Sequence, residues 1–226
     1  MDEAGAVLSS VAHRDAEDYS SWLLAAVGRV LAEAGRRFSE VTLYAAAAGP
    51  GSFTGIRVGL TTVKAWSEVS GVKIAAVSRL EALAATAKKS REIAPQMVAA
   101  CFDAQRGEVY GAIYRSEGEN LRRIGDEAVV APGVLIDRVA REAKGEAVAW
   151  VCLDRGALFG EARWAEREAR GEVIEVADPV VAPAIARVAK RLAAEGKLTD
   201  ALGLDAHYIL RPHAEVQWKG YVKPSV

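Results

Sequence analysis

A glycine-rich turn, Gly49–Gly55, is the stretch of the chain whose residue types and spacing could bind an anion. Three glycines and one proline within seven residues impose a tight backbone path. An apolar run, Val41–Ala48, leads into the turn, and a helical pattern, Ile56–Ser70, leads out of it. The sequence therefore predicts a strand, a turn and a helix start, a junction where α/β folds often place ligands. The candidate anion-binding residues are Gly49, Gly51, Ser52 and Thr54, and Ser52 or Thr54 is also the predicted helix cap.

Known phosphate-loop spacings do not match this turn. A Walker A loop needs Lys and then Ser or Thr after its last glycine, whereas Ile56 and Arg57 follow Gly55. The dinucleotide fingerprint spaces its glycines one residue closer than Gly49, Gly51 and Gly55 are spaced. The spacing favours a structural turn followed by a helix, and anion binding is the alternative.

Other catalytic patterns are missing from the sequence. The three histidines, His13, His207 and His213, form neither His-x-x-x-His nor His-Glu-x-x-His, so we expect no metal site. No Gly-x-Ser-x-Gly elbow occurs, which argues against a serine hydrolase. Cys101 and Cys152 have no metal or redox spacing and lie in apolar runs, so we predict buried free thiols. No catalytic residue is assigned.

Three segments carry a resemblance to a known family. Residues 49–60, with Lys64 and residues 77–84, are similar to the TsaB (YeaZ) family, a glycoprotease-like group related to TsaD. Residues 103–110 resemble the family's Asp-Ala-Arg-Arg-Gly-Glu-Val-Tyr hairpin, with Gln at one Arg position. Residues 205–211 resemble its C-terminal Tyr-Ile/Leu-Arg signature. The similarity extends from about residue 20 to residue 215.

The resemblance implies a function in tRNA modification. Members of the family are similar to a degenerate partner of TsaD, the subunit that places a threonylcarbamoyl group on adenosine beside the tRNA anticodon. It implies a non-catalytic scaffold that binds TsaD and TsaE, that forms a homodimer when alone, and that meets tRNA only within the complex. ATP and metal are expected on the partner subunit, with no cofactor on this chain. The alternatives are an independent enzyme of the same fold, either a peptidase or an ATPase, and a homodimer with a separate regulatory role.

The resemblance also implies a partner surface on two helices of the first lobe, Ser20–Ala34 and Ile56–Ser70. Glycine inside a helix lowers helix stability by about 1 kcal/mol relative to alanine. The glycines of the second helix are therefore expected to have a structural or binding role. A close contact inside the protein and a subunit interface both remain open from the sequence, and the resemblance favours the interface. The expected interface residues are Trp22, Leu23, Gly55, Gly59, Thr62, Val63 and Trp66.

Composition narrows the class of protein. The chain has 226 residues, of which 51% are hydrophobic, and a net charge of −1, so it can build a substantial core but lacks the basic excess of a protein that grips nucleic acid alone. No apolar stretch reaches the length of a membrane span, and the acidic start argues against a secretory signal. We expect a cytoplasmic protein.

Strands and helices alternate in two blocks, which predicts two α/β lobes, residues 1–93 and 94–226. The resemblance implies the two-lobed actin-like, Hsp70-like ATPase (ASKHA) fold in reduced form. Family members open with a strand containing Ile/Leu-Asp-Thr-Ser, which is missing here, because the start is assigned too late or the member is shortened. The first sheet is then expected to expose an edge.

Several local predictions can be compared with the structure. We expect a strand at residues 5–11, a turn at Pro132-Gly133, an exposed charged segment at residues 162–170, and burial of Leu24 within the first helix. Asp103 is expected to fix the turn that follows it, with a ligand or acid role as the alternative. The aromatic and basic tail, which includes Trp218 and Tyr221, is expected to dock on the protein, with RNA binding as the alternative.

Overall fold

The computed structural model describes residues 1–13, 18–87, 95–118, 120–156 and 162–209. Within them, helices and strands follow one another in two α/β blocks, which confirms the predicted fold class. The first block contains α1 (Tyr19–Glu33), a 3-10 helix (Phe38–Glu40), β1 (Tyr44–Gly49), α2 (Phe53–Ser70), β2 (Ile74–Ser78) and α3 (Arg79–Ala84). The second contains β3 (Met97–Gln105), β4 (Glu108–Glu117), β5 (Asn120–Val130), α4 (Pro132–Ala143), β6 (Val148–Cys152), α5 (Ala162–Ala169), β7 (Ile174–Val176) and α6 (Ala182–Ala194).

The first sheet is a parallel pair, β1 and β2, joined through α2. Ile56 and Leu60 of α2 pack on one face of the pair, and Ile185 and Val188 of α6 pack on the other. The continuous apolar run of β1 follows from this cover on both faces. Because α6 comes late in the chain, the first sheet is covered by residues from both predicted lobes. The boundary between residues 93 and 94 lies outside the described residues and stays a prediction.

The second sheet has the strand order β5-β4-β3-β6-β7, with an antiparallel meander on one side and parallel strands on the other. The hairpin between β3 and β4 turns through Gln105, Arg106 and Gly107, which all have positive φ. Asp103 Oδ1 accepts a hydrogen bond of 2.8 Å from the Gln105 N–H. The prediction that Asp103 fixes this turn is confirmed.

Both faces of the second sheet are covered. Helices α4 and α5 pack on one face through Leu135, Val139 and Trp164. Helix α3 packs on the opposite face through Leu80 and Leu83. The core of this block is therefore divided into two layers, one on each side of the sheet.

The two cysteines lie side by side in the second sheet. Cys101 of β3 stands opposite Cys152 of the parallel strand β6. Both thiols are free and buried, as predicted. Burial raises the pKa of Cys152 to about 11 and also raises that of Cys101, so both stay protonated and unreactive at neutral pH.

Two elements differ from the predictions because local pattern is a weak guide to strand and turn limits. Residues 5–11 contain no strand. Pro132 and Gly133 do not form an isolated turn; they begin α4, since proline is tolerated in the first helical turn, where its missing N–H is not needed.

Helix α5 confirms in part the prediction that residues 162–170 are exposed: residues 163, 165, 166 and 168–170 are exposed, whereas Trp164 and Arg167 are buried. Trp164 is only 2% exposed and packs edge to face on Trp150, with ring centroids 5.2 Å apart. Arg167 Nη2 lies 2.6 Å from Glu172 Oε1, and Trp150 Nε1 donates to Glu172 Oε2 at 2.7 Å. One charged residue of this segment, Arg167, is therefore buried as part of an ion pair. Its burial is possible because Arg167 and Glu172 neutralise each other inside the core.

The first sheet is reduced to two strands among the described residues, in agreement with the prediction. Opposite its pairing with β2, β1 faces a cavity of about 690 Å³. Thr42, Leu43 and Ala45 line this cavity together with parts of α1, α6 and residues 1–9. Within the described part of the molecule β1 pairs with β2 alone, so its other edge has no strand partner there.

Candidate functional site

Helix α2 carries most of the predicted partner surface. Its Ile56, Leu60 and Ser67 are buried against the first lobe. At 3.6 residues per turn, positions 55, 59, 62 and 66 follow one another along a flank roughly a quarter turn away from that buried side. The predicted glycines, Thr62 and Trp66 therefore share one flank of the helix.

The glycines of this flank are not required by packing inside the protein. A Cβ added at Gly59 would meet no atom within 4 Å. A Cβ added at Gly55 would lie 3.6 Å from Ser52, an ordinary van der Waals contact. The described residues therefore make no tight internal contact that would require either glycine. Each glycine still lowers the stability of the helix relative to alanine.

The larger residues of α2 divide between core and surface. The Trp66 ring packs against Phe38 and Tyr44, with centroids 5.5 and 6.0 Å away, so it anchors α2 to β1. Val63 packs against the same core and is half-buried. Thr62 Oγ1 donates to the Val58 carbonyl at 2.8 Å. Val63 and Trp66 thus have a structural task whether or not a partner also touches them.

Helix α1 contacts α2 and carries the other two predicted interface residues, Trp22 and Leu23. Trp22 and Leu23 are half-buried, and the Trp22 ring stands edge-on against His13 at 4.9 Å. Leu24, predicted to be buried, is 61% exposed. Helical spacing of apolar residues does not show how much of the apolar stripe other elements cover, and Leu24 lies outside the covered part.

The outward side of α1 is apolar and small, and sequence reasoning missed it. Its members are exposed and recur at helical spacing: Leu24, Ala25, Gly28 and Ala32. A Cβ added at Gly28 would meet nothing within 4 Å, like one at Gly59. Val69, on the flank of α2, is 90% exposed. The signal in the sequence was the shared four-residue spacing of small residues in both helices. These residues, with Gly55, Gly59, Thr62 and Trp66, are called the α1–α2 surface below.

Ser52 is the cap of α2. Its Oγ accepts a hydrogen bond from the Gly55 N–H at 3.3 Å, which selects it over Thr54. Thr54 lies exposed in the first turn of the helix.

Gly49, which precedes this cap, is explained by a close backbone approach. A Cβ at Gly49 would lie 2.3 Å from the carbonyl oxygen of His207, and its φ is 135°. The His207 N–H donates to the Ala48 carbonyl at 2.7 Å. Residues 205–209 therefore run directly against the end of β1, and the structural interpretation of Gly49 fits this contact.

The remaining residues of the glycine turn open on a cleft. Gly51, Ser52 and Thr54 line a cavity of about 720 Å³ between the turn and the β3–β4 hairpin. Arg79 lines it too, and its Nη1 would be 3.2 Å from a Cβ at Gly51. The structure thus brings three of the four candidate anion-binding residues together with a cation that sequence reasoning missed.

Burial perturbs two side chains of the cleft. It lowers the pKa of Arg79, and the neighbouring Tyr110 opposes that shift weakly. It raises the pKa of Tyr110, which Arg79 in turn counteracts. The Arg79 guanidinium lies 4.5 Å from the centroid of the Phe102 ring, and this ring packs on Tyr110 at 5.1 Å. The cleft therefore combines a poorly solvated cation with aromatic walls.

A buried carboxylate, Glu127, ties the two blocks together behind the cleft. Its side chain is 1% exposed. It accepts hydrogen bonds from Ser78 Oγ and, at 3.4 Å, from Tyr114 Oη. His207 Nε2 and Arg123 Nη1 lie 3.2 and 3.5 Å from its oxygens. One carboxylate thus joins β2, the second sheet and the segment that ends the described chain.

The segment 205–209 is held by side chains as well. Tyr208 accepts a hydrogen bond from Arg57 Nε at 3.1 Å, and its ring packs on Phe53 at 5.2 Å. The described part of the motif, residues 205–209, is therefore held against the start of α2 through Tyr208. The predicted docking of the tail, with Trp218 and Tyr221, lies outside the described residues.

The described residues contain neither a cluster of metal ligands nor a membrane-spanning helix. No group of three or more His, Cys, Asp or Glu side chains in those residues is placed to hold a metal ion. No helix in the same part of the chain is both long and apolar enough to cross a membrane.

Comparison with known proteins finds similarity to proteins that are named for tRNA modification. Residues 6–154 match the family described as TsaD: tRNA N6-adenosine threonylcarbamoyltransferase. A Bacillus subtilis protein named tRNA threonylcarbamoyladenosine biosynthesis protein TsaB is 31% identical over 108 residues, which are 48% of this chain and 45% of the relative. The Escherichia coli K12 protein of the same name is 30% identical over 141 residues, 62% of this chain and 58% of the relative. The chain thus spans about half the length of these curated relatives.

A solved structure resembles the whole fold more completely. A Pseudomonas aeruginosa protein, described as similar to the peptidase YeaZ, superposes with a TM-score of 0.69 at 28% identity. The match covers 84% of this chain and 83% of that protein. The two-lobed actin-like fold expected from the resemblance is confirmed by this similarity.

Proposed function

The chain belongs to the TsaB (YeaZ) family of the glycoprotease-like superfamily, and from this premise we propose that it is a non-catalytic scaffold for threonylcarbamoyl transfer to tRNA adenosine. In this proposal it binds TsaD, with TsaE, and holds the catalytic subunit in its active arrangement. TsaD supplies the metal and nucleotide chemistry, and tRNA is contacted within the assembled complex. When alone, the chain pairs with a second copy, and the setting is the cytoplasm.

The observation that carries the proposal is the open space beside Gly59. Glycine in the middle of an 18-residue helix lowers helix stability by about 1 kcal/mol. No atom of the described chain approaches the position that a Cβ would occupy there. A partner helix lying against this flank would explain the residue, because the absence of a side chain lets two helix backbones approach closely. Gly28 on the contacting helix α1 has the same property.

The neighbouring residues support a protein partner rather than a nucleic acid. The α1–α2 surface exposes Leu24 and Val69 at 61% and 90%, together with alanines and glycines. Protein interfaces have apolar centres, whereas surfaces that bind nucleic acids are rich in Lys and Arg. We therefore assign TsaD, and a second copy of this chain in its absence, to the α1–α2 surface.

An independent peptidase is the alternative with a specific arrangement to consider. Ser78 Oγ donates a hydrogen bond to Glu127 Oε1, and His207 Nε2 lies 3.2 Å from Glu127 Oε2. A serine nucleophile needs the histidine between the hydroxyl and the carboxylate, so that the imidazole takes the hydroxyl proton. Here the carboxylate lies between the other two groups, and Ser78 Oγ is occupied as the cap of α3. These residues therefore favour a structural network over a catalytic triad.

The proposal is tested by mixing the purified chain with TsaD from the same organism and measuring complex mass by sedimentation. We expect a heterodimer with the wild type and with Thr61→Arg, which puts the same charge on the other exposed flank of α2. We expect no heterodimer with Gly59→Arg. In a reconstituted reaction with TsaD, TsaE, tRNA and the threonylcarbamoyl donor, omission of the chain should abolish modification. Unchanged modification without the chain would refute the scaffold function, and equal effects of the two arginine variants would refute the assigned surface.

A further inference from the structure

The cleft beside the glycine turn holds a cation with no counter-ion among the described residues. Arg79 begins α3, and its guanidinium points into the cavity of about 720 Å³. The described part of the chain supplies no carboxylate or carbonyl within hydrogen-bond or ion-pair distance of that guanidinium; the Phe102 ring, 4.5 Å away, is its neighbour. A guanidinium taken out of water without an anion is costly, so it is usually paired.

The walls of the cleft add flat apolar surface next to this cation. Phe102 and Tyr110 pack together on the hairpin side, and Phe53 and Tyr208 pack together on the side of α2. Pairs of rings on opposite sides of a cavity offer stacking surface to a planar group. The Tyr110 hydroxyl, whose pKa is raised by burial, stays protonated and can donate a hydrogen bond.

Other charges line the cleft and set limits on its ligand. Asp103 and Glu108 stand on the hairpin side, with Arg106 between them at the turn. Asp103 already accepts the Gln105 N–H, and His207 is drawn to Glu127. Asp103 thus has a local partner, Arg106 and Glu108 carry opposite charges, and Arg79 has no anionic partner among the described residues.

We propose that this cleft binds a small molecule in which an oxyanion is attached to a flat unsaturated ring. The oxyanion pairs with the Arg79 guanidinium and takes a hydrogen bond from Tyr110. The ring lies between the aromatic side chains of the two walls. Phosphate and carboxylate share the required chemistry, and both fit the forked donor of an arginine. This site is separate from the α1–α2 surface, so it does not depend on the scaffold function.

The test uses four defined probes and isothermal titration calorimetry with the full chain. Phenyl phosphate and benzoate carry both ring and oxyanion, phenol carries the ring alone, and inorganic phosphate carries the charge alone. We expect one site for phenyl phosphate or benzoate with a Kd of about 1 mM or tighter, as suits ligands of this size. Phenol and inorganic phosphate should bind at least about 10-fold more weakly. The tighter of the two aryl anions identifies the oxyanion that the site prefers.

Two arginine variants locate the site. Arg79→Met should weaken binding of the preferred aryl anion at least about 30-fold, because the ion pair and its forked hydrogen bonds are lost. Arg141→Met, an exposed arginine on α4, removes the same charge and should leave Kd unchanged. Tyr110→Phe should weaken binding several-fold through loss of its hydroxyl.

Each contrary outcome overturns the proposal. If the wild type binds neither phenyl phosphate nor benzoate at a probe concentration of about 10 mM, 10-fold above the expected Kd, the cleft does not bind an aryl oxyanion. Equal affinity for phenol would reduce it to an apolar pocket, and equal losses in the two arginine variants would reduce it to general charge attraction. If Arg79→Met fails to fold, Arg79→Lys with retained folding serves instead. It should lose affinity at least about 10-fold, because an ammonium cannot make the forked contact.

Discussion

Replacement of Gly59 by alanine should change stability and association in opposite directions. The added methyl group would meet no atom within 4 Å, so it introduces no clash inside the chain. Alanine inside a helix is favoured over glycine by about 1 kcal/mol. For a domain of this size, a gain of about 1 kcal/mol raises Tm by roughly 2–4 °C. We therefore expect Gly59→Ala to be the more stable monomer.

The same methyl group should weaken association with TsaD and with a second copy. A helix packed closely on the flank of α2 would have to move back to admit it, and overpacking of a close contact costs roughly 1–3 kcal/mol. A loss of about 1.4 kcal/mol corresponds to a 10-fold higher Kd. We expect a Kd at least about 10-fold higher for Gly59→Ala and an unchanged Kd for Thr61→Ala on the other exposed flank.

Urea unfolding and sedimentation measure the two effects separately. Unfolding is recorded at falling protein concentration until the midpoint no longer changes, because the stability of a dimer depends on concentration. Sedimentation then gives Kd for each variant. A less stable Gly59→Ala monomer would show that the helix is packed internally at this position. A more stable monomer with unchanged Kd would show that the flank of α2 is not the partner surface.

Three further substitutions test the account of the fold. Gly49→Ala should lower the free energy of unfolding by about 2–4 kcal/mol, because its Cβ would lie 2.3 Å from the His207 carbonyl; Gly71→Ala, with open space around it, should cost only about 1 kcal/mol in the same urea titration. Glu172→Ala should cost about 3–5 kcal/mol by leaving Arg167 buried and unpaired, and Arg167→Met in addition should recover most of it; a single-variant loss below about 1 kcal/mol would contradict the buried ion pair. Burial raises the pKa of Glu81 above 4.5 despite the opposing charge of Arg191, so the folded chain holds this proton more tightly than the unfolded chain. The wild type should then lose stability as pH rises from about 4.5 through the raised pKa, and Glu81→Gln should remove that part of the slope; urea midpoints that fall equally in both proteins would contradict it.

Local chemistry was sufficient for many elements of the fold. Ser78 caps α3 through the N–H groups of Leu80 and Glu81, which lie two and three residues after it in the chain. In the turn at Gln105–Gly107, Gly107 is the residue type that adopts positive φ readily, and Asp103 supplies the hydrogen bond that fixes the turn. Predictions were wrong where contact with a distant element decided burial, as for Leu24 and for Trp164 and Arg167 of helix α5. A periodic pattern defines an apolar stripe but not how much of it another element will cover.

The candidate sites divide in the same way. The sequence indicated that the glycines of α2 have a structural or binding role, and that the turn before α2 is a candidate anion-binding site. It could not distinguish internal packing at Gly59 from an interface, because that depends on which atoms of other elements come near. Arg79 was missed as an anion-binding candidate, since nothing in its own neighbourhood along the chain shows that it opens on the hairpin of the other block.

The sequence by itself determined the alternation of helices and strands in two blocks, the glycine turn with its capped helix, the β3–β4 hairpin and the family. Those features depend on backbone conformations and side-chain caps within a few residues of one another. Only the tertiary structure placed Cys101 opposite Cys152, Ser78 and His207 on the same Glu127, and α6 on the first sheet. These contacts join residues far apart in the chain, and their partners are selected by strand order and by the mutual burial of whole elements.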